Sequence, residues 1–171
     1  MKIMDNNIFN LKGKVIVVTG SNGQLGRAIC SFFKKLGSIV LELDLKTSRK
    51  KSNFYHIDIT VKENVKSVLN KIFDAYGNID VLINNAGVST FENFEKRTDE
   101  KFDWVMDVNL KGTFNCIQQY VNIFDNRKQK SGSIINIASV YGIVSPDFRI
   151  YSANDRKNSE VYGATKAGVI Q

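Results

Sequence analysis

Apolar residues fall into short continuous runs that alternate with longer stretches of helical spacing. The first run covers residues 15–18, and its β-branched residues without polar interruption indicate a strand buried on both faces. A second run, residues 39–43, ends at Asp44. Between the two runs, apolar residues recur at the spacing of one helix face and Gly37 follows as a C-cap: Leu25, Ile29, Phe32, Phe33 and Leu36. These residues predict a βαβ unit.

The same alternation continues along the chain. Further strands are predicted over residues 54–57, 81–83 and 133–138, and helices over residues 61–76, over 102–125 and from near Ser159. Parallel neighbours need crossover connections, so this order predicts an α/β fold: a Rossmann-type doubly wound parallel sheet with helices on both faces. Five strands are predicted where a complete sheet of this kind has about six. We therefore expect the sheet to be missing its C-terminal strand or strands.

Composition narrows the class of protein without changing this picture. Of 171 residues, 43% are hydrophobic, 24% are charged and one is proline, which predicts a single domain over residues 1–171. The net charge of +7 is spread along the chain, with a short run at Arg49, Lys50 and Lys51, so no nucleic-acid partner is expected. No apolar run approaches the ~20 residues of a membrane span, and the N-terminus lacks signal-peptide features. We expect a cytoplasmic protein with no membrane partner.

The first predicted βα turn carries three glycines. It reads Thr19-Gly20-Ser21-Asn22-Gly23-Gln24-Leu25-Gly26. Glycine permits a tight turn and a close approach of the backbone to a pyrophosphate, and the helix start offers free N–H groups to phosphates. The turn therefore predicts a dinucleotide-binding site made of Gly20, Ser21, Asn22, Gly23, Gln24, Leu25 and Gly26.

Asp44 follows at the end of the second strand, about 20 residues beyond the turn. A carboxylate at this place accepts hydrogen bonds from ribose hydroxyls and repels a 2′-phosphate, which favours NAD. The nearby Arg49, Lys50 and Lys51 leave NADP as an alternative. Asp58 and Ile59, just beyond the third strand, are expected on the adenine side of the same crevice.

Four further motifs occur in a fixed order on these elements. Asn84-Asn85-Ala86-Gly87 follows the fourth strand, Asn109 lies on the long helix, Ser139 follows the fifth strand, and Tyr162-x-x-x-Lys166 lies on the last helix. Together they resemble the short-chain dehydrogenases/reductases over residues 12–171. The resemblance implies that Asn85, Ala86 and Gly87 line the cofactor cleft and that a proton relay passes through Asn109. It also implies that Ser139, Tyr162 and Lys166 act on the substrate and that Lys166 holds the nicotinamide ribose.

The chemistry of these residues agrees with that role. Tyr162 and Lys166 are four apart and share one helix face. A phenol has an ordinary pKa near 10, and a nearby ammonium lowers that pKa toward neutrality. We expect hydride transfer between nicotinamide and a carbonyl or alcohol substrate, with Tyr162 exchanging the proton on oxygen. No metal is predicted. Cys30 and Cys116 have no metal or redox spacing and are expected to be buried thiols.

Departures from the family pattern leave alternatives open. The spacing Gly20-x-x-Gly23-x-x-Gly26 is similar to the extended branch of nucleotide-sugar epimerases and dehydratases, whereas the Asn-Asn-Ala-Gly run favours the main branch. The interval between Ser139 and Tyr162 is long. Its sequence is similar to that of family members from bacterial surface-sugar and flagellin-glycan pathways, so a sugar-derived substrate is an alternative. The family's C-terminal region supplies a strand, a substrate loop and part of the subunit interface. We therefore expect a fragment or a truncated gene product with impaired catalysis. A non-catalytic cofactor-binding remnant is the alternative. The complete protein is expected to form a homo-oligomer.

Overall fold

A five-stranded parallel sheet forms the centre of the protein. The computed structural model describes residues 10–46, 52–151 and 158–171. Its strands lie in the order β3-β2-β1-β4-β5, and each pair of neighbours is parallel. The strands are β1 (Val15–Thr19), β2 (Ile39–Asp44), β3 (Phe54–His56), β4 (Val81–Asn84) and β5 (Ser133–Asn136). The direction of winding reverses between β1 and β4, which confirms the predicted doubly wound sheet.

Five α-helices connect or follow the strands. They are α1 (Gln24–Lys35), α2 (Lys62–Tyr76), α3 (Asp99–Met106), α4 (Gly112–Asn126) and α5 (Glu160–Ile170). Glycines in the left-handed region end the first two: Gly37 just beyond α1 and Gly77 at the C-cap of α2, both with φ of +79°. Both positions agree with the predicted helix ends. Glycine is suited to them because it adopts the left-handed conformation without steric cost.

The two faces of the sheet carry separate hydrophobic cores. Val15 and Val17 of β1 pack into the larger core with α2 and α4, whereas Ile16 and Val18 pack into the smaller core beneath α1. Adjacent residues of a strand point to opposite faces, so one continuous apolar run supplies both cores. This arrangement confirms helices on both faces. Cys30 and Cys116 lie buried, one in each core, and form no disulfide.

The predicted helix over residues 102–125 differs from the structure. It begins earlier, at Asp99, where the hydroxyl of Thr98 caps α3 by accepting the N–H of Lys101. A π-helical segment, Asp107–Lys111, then joins α3 to α4. Apolar spacing cannot indicate such a segment, because one widened turn changes the helical period only locally. β5 also ends two residues earlier than predicted, at Asn136.

Two residues of the predicted α1 stripe do not face a core. Leu25 is 52% exposed and Phe32 is 56% exposed. Leu25 lies in the first turn of the helix, at the carboxyl edge of the sheet, where it lines a cavity described below. Within the described ranges, no helix is both long enough and apolar enough to span a membrane. Arg49, Lys50 and Lys51 lie outside the described residues.

Candidate active site

The glycine turn between β1 and α1 packs directly against the segment that follows β4. Gly20 has a φ of +64°, and a Cβ there would lie 2.6 Å from the Cα of Ala86. A Cβ on Gly26 would lie 2.2 Å from the carbonyl oxygen of Gly20. Both contacts involve backbone atoms, which cannot move aside as a flexible side chain can. Gly20 and Gly26 are therefore required for the turn itself.

Hydrogen bonds join the turn to the Asn-Asn-Ala-Gly run. Thr19 Oγ1 accepts the backbone N–H groups of Asn85 and Ala86, each at 3.1 Å. The side-chain amide of Asn85 donates to the carbonyl oxygens of Thr19 and Gly20, each at 3.0 Å. The sequence interpretation did not single out Thr19 for a role of its own. The only signal was its position immediately before the first glycine.

A first cavity of about 530 Å³ lies between the turn and the ends of β2 and β3. The carboxylate of Asp44 stands in its wall and accepts the N–H groups of Asn22 at 2.9 Å and Lys46 at 3.0 Å. The carboxylate of Asp58 accepts the N–H of Thr60 at 2.9 Å and its hydroxyl at 2.7 Å. The apolar residues of this wall include Ile59, Ala86, Trp104 and Val108.

A second cavity of about 470 Å³ lies on the other side of the turn. It brings together most of the remaining predicted residues. Gly20, Gly23, Gly87 and Val88 line both cavities, so the two form one cleft that the glycine turn spans. The second cavity is lined by Gln24, Leu25, Gly26, Asn85, Ser139, Tyr162 and Lys166, together with Phe91, Tyr141 and Asn158, which the motifs did not indicate.

This cleft fits a dinucleotide. Gly23 is the N-cap residue of α1, so the free N–H groups and positive end of the helix dipole face the junction of the two cavities, where a pyrophosphate would bind. A side chain at Gly23 or Gly87 would narrow the cleft at this junction. Of the seven residues 20–26 predicted to bind the dinucleotide, Ser21 alone lines neither cavity. It is buried, and its N–H donates to the carbonyl oxygen of Leu43 at 3.1 Å.

Tyr162 and Lys166 lie one turn apart on α5. The helix begins at the N-cap Ser159, whose hydroxyl accepts the N–H of Tyr162 at 3.3 Å. The Lys166 Nζ lies 5.7 Å from the centroid of the Tyr162 ring and donates to the carbonyl oxygen of Ile137 at 2.6 Å. Burial lowers the pKa of Lys166 from its ordinary value of 10.5. The bond to Ile137 thus holds the ammonium of Lys166 beside the ring of Tyr162.

Ser139 and Asn109 occupy different layers of the site. Ser139 lines the second cavity, and its hydroxyl oxygen accepts the N–H of Tyr141 at 3.2 Å, which leaves its own proton available for a substrate oxygen. Asn109 is only 1% exposed and lines neither cavity. Its amide bonds both backbone groups of Val88, at 2.7 and 2.9 Å, and the hydroxyl of Thr165 at 3.1 Å.

Comparison with known proteins agrees with this geometry. The short chain dehydrogenase family profile matches residues 14–171. The 3-oxoacyl-[acyl-carrier-protein] reductase FabG of Thermotoga maritima is 34% identical, over 94% of this chain and 65% of its own length. The chain thus spans slightly less than two thirds of that relative.

Two solved structures are similar to the whole fold. A short chain dehydrogenase from Leptospira borgpetersenii, crystallised with bound NAD+, has a TM-score of 0.85 and 34% identity, covering 99% of this chain and 66% of that one. The aldohexose dehydrogenase of Thermoplasma acidophilum has a TM-score of 0.79 and 31% identity, covering 94% and 58%. The matched profile, the sheet order and the arrangement of Ser139, Tyr162 and Lys166 lead to one conclusion: this chain belongs to the short-chain dehydrogenase family.

Proposed function

We propose that the protein is an NAD(P)-dependent oxidoreductase that transfers a hydride between nicotinamide and a carbonyl or alcohol substrate. The observation that carries this proposal is the convergence of Ser139, Tyr162 and Lys166 on one cavity that continues through the glycine turn to Asp44. When bound, the nicotinamide supplies the carbon that gives or takes the hydride.

The chain's own residues handle the substrate oxygen and its proton. Tyr162 exchanges a proton with the substrate oxygen, as acid in reduction and as base in oxidation. The ammonium of Lys166 lies 5.7 Å from the Tyr162 ring centroid and places a positive charge next to the group that exchanges the proton. Ser139 donates a hydrogen bond to the substrate oxygen and orients it toward Tyr162.

Asn109 lies beneath the cleft and holds a residue that forms part of its wall. Its amide holds the Val88 backbone, which lines both cavities, and the hydroxyl of Thr165, which lies next to Lys166 in sequence. We assign it this supporting role. The proton relay that the family resemblance implied stays a prediction, and Asn109 is buried and lines neither cavity.

Binding and turnover test the proposal separately. A calorimetric titration of the protein with NAD, and then with NADP, is expected to give saturable binding that is tighter for NAD, since Asp44 repels a 2′-phosphate. Tyr162→Phe is expected to retain cofactor binding while lowering turnover by a factor of about 100 or more. The control Tyr120→Phe removes the hydroxyl of a buried tyrosine away from both cavities and should keep its turnover. Equal turnover in Tyr162→Phe and wild type would refute the mechanism.

A sugar-derived substrate is the second candidate. The long segment between Ser139 and Tyr162 and the similarity to an aldohexose dehydrogenase favour it. In the described part of this segment, the Tyr141 and Tyr151 hydroxyls lie 2.8 Å apart, and Tyr141 lines the second cavity. Such a polar pair suits a polyhydroxylated ligand. Screening aldoses and nucleotide sugars against simple alcohols tests this, and activity confined to simple alcohols would exclude it.

Retention of the cofactor separates the remaining alternatives. A nucleotide-sugar epimerase or dehydratase regenerates its NAD in each cycle, so NAD is expected to co-purify with it at near stoichiometry. A non-catalytic remnant would bind cofactor with no turnover in wild type. Homo-oligomerisation, a cytoplasmic location and the single-domain organisation stay predictions, which light scattering, fractionation and limited proteolysis can check.

A further inference from the structure

Arg97 is a buried cation outside the predicted motifs. It follows the 3₁₀ turn Phe94–Lys96 and precedes α3, in the segment that leads away from β4. Its side chain is only 6% exposed. A guanidinium that is removed from water to this extent requires several hydrogen-bond acceptors, because its charge is otherwise costly to bury.

One half of the guanidinium binds α5. Arg97 Nε donates to Glu160 Oε1 at 2.5 Å, and Nη2 donates to Glu160 Oε2 at 3.1 Å. This is the paired geometry in which a planar guanidinium binds a carboxylate most strongly. Glu160 is the first residue of α5, two positions before Tyr162. Burial alone would raise the pKa of Glu160, but the hydrogen bonds and charge of Arg97, together with backbone hydrogen bonds at the start of α5, outweigh that effect and lower the pKa.

The other half binds the segment after β4. Arg97 Nη1 donates to Glu92 Oε1 at 3.0 Å and to the hydroxyl of Thr90. Lys101 holds the second oxygen of Glu92, with Nζ at 3.3 Å. Thr90 is 5% exposed and lies between Ser89 and Phe91, which both line the second cavity.

These contacts connect the two sides of the second cavity. One side is the segment that carries Ser89 and Phe91, and the other is the first turn of α5, which carries Tyr162. We propose that Arg97 is a positioning residue that fixes the start of α5 against the segment after β4 and thereby sets the place of Tyr162 in the cavity. The kinetic part of this inference rests on the proposed oxidoreductase function. The structural part, that Arg97 fixes α5, does not.

Lysine cannot replace arginine in this position. An ammonium presents a point charge, so it can pair with Glu92 or with Glu160 but cannot keep the planar fork to both. Arg97→Lys therefore keeps the charge and removes the link between the two walls. A displacement of Tyr162 by about 1 Å lowers turnover by a factor of roughly 100. The affinity for the cofactor should change little, since Arg97 lines neither the first nor the second cavity.

The test combines amide hydrogen exchange with kinetics on the same proteins. Arg97→Lys is compared with wild type and with Arg127→Lys, a control in which the arginine pairs with Asp74 on the exposed surface at 2.9 Å. We expect faster exchange of the amides of residues 161–165 in Arg97→Lys, a kcat lowered about 10- to 100-fold, and a Kd for NAD within about threefold of wild type. Arg127→Lys should match wild type in all three.

A second variant keeps the test decisive if Arg97→Lys folds poorly. Glu160→Gln keeps the shape of the side chain and one acceptor oxygen, so it should fold and show the same selective effects at smaller size. Unchanged exchange in α5 together with a kcat within twofold of wild type would overturn the proposal. A loss of NAD affinity in step with kcat would also overturn it, since that is a general structural defect. A wild type without turnover would count against the proposed function only, because the exchange measurement still decides whether Arg97 fixes α5.

Discussion

The carboxylate of Asp44 has two roles in the same place. It joins the glycine turn to the end of β2 by accepting the N–H groups of Asn22 and Lys46, and it lines the first cavity. These hydrogen bonds fix its position before any ligand arrives, so its charge acts at a defined point. We therefore expect selection against a 2′-phosphate, because like charges repel.

Asp44→Asn tests that selection. The amide keeps an acceptor oxygen for one of the two backbone N–H groups and removes the charge, so we expect the ratio of NAD affinity to NADP affinity to fall about tenfold, or about 1.4 kcal/mol. Calorimetric titration with both cofactors measures it. Asp58→Asn, in the same cavity, is the matched control and should leave the ratio within about twofold. A preference for NAD that survives Asp44→Asn would assign the selection to other residues.

The burial of the charged Lys166 side chain lowers the stability of the folded protein. Its pKa is lowered in the folded protein by burial, so the unfolded chain holds its proton more tightly. Between the lowered pKa and the ordinary value of 10.5, stability rises with pH, and below that window the penalty for burying the charge is fully present.

We therefore expect Lys166→Met to unfold at higher urea concentration than wild type at pH 7, although it should lose turnover. The advantage should shrink as the pH approaches 10, because the wild type then no longer buries a charge. Urea unfolding at both pH values measures this. Lys111→Met, at an exposed lysine paired with Asp107 at 3.2 Å, is the control and should show no such trend. A difference between Lys166→Met and wild type that is independent of pH would contradict the assignment.

At the scale of elements, the π segment Asp107–Lys111 accounts for the direction of Asn109. A widened turn rotates the residues after it relative to those before it, and such turns are frequent at functional sites. The Asn109 side chain thereby contacts both the Val88 backbone and Thr165 of α5. One amide thus joins three elements of the site.

Asn109→Ala is expected to leave the N–H and the carbonyl of Val88 without partners. The free energy of unfolding should fall by about 1–3 kcal/mol, because an unpaired buried polar group loses its hydrogen bond with protein and water alike. Denaturant unfolding checks this, with Asn122→Ala, at an exposed position on α4, as the control. A loss below about 0.5 kcal/mol would mean that water replaces the amide.

At the scale of the whole molecule, the cleft lies where the winding of the sheet reverses between β1 and β4. At this point the connections leave the sheet in opposite directions, so a crevice opens at the carboxyl ends of the strands. The cleft consists of two cavities of about 530 and 470 Å³ that share the glycine turn.

This division predicts that the two halves of the cofactor bind independently. AMP should occupy the cavity beside Asp44, and nicotinamide mononucleotide should occupy the cavity beside Tyr162. Each should raise the melting temperature, and together their effects should add, because each ligand stabilises the folded state by its own occupancy. Differential scanning fluorimetry with AMP, nicotinamide mononucleotide and both together measures this. Competition between the two mononucleotides would contradict the assignment of two subsites.

The sequence by itself determined the order of strands and helices along the chain, the parallel sheet and most of the residues that line the cleft. These features depend on local patterns: apolar period, glycine at turns and polar residues at strand ends. It also indicated Ser139, Tyr162 and Lys166, through the resemblance of their ordered motifs to the short-chain dehydrogenases/reductases.

Only the tertiary structure decided how these residues are held. The bonds of Thr19 to the segment after β4, the π turn at Asn109, the exposure of Leu25 and the link from Arg97 to Glu160 all join residues that are distant in sequence or depend on one local change of helical period. Periodicity reports which face of an element is apolar. It does not report which polar side chain crosses to another element, because that depends on distances set by the packing of the whole sheet.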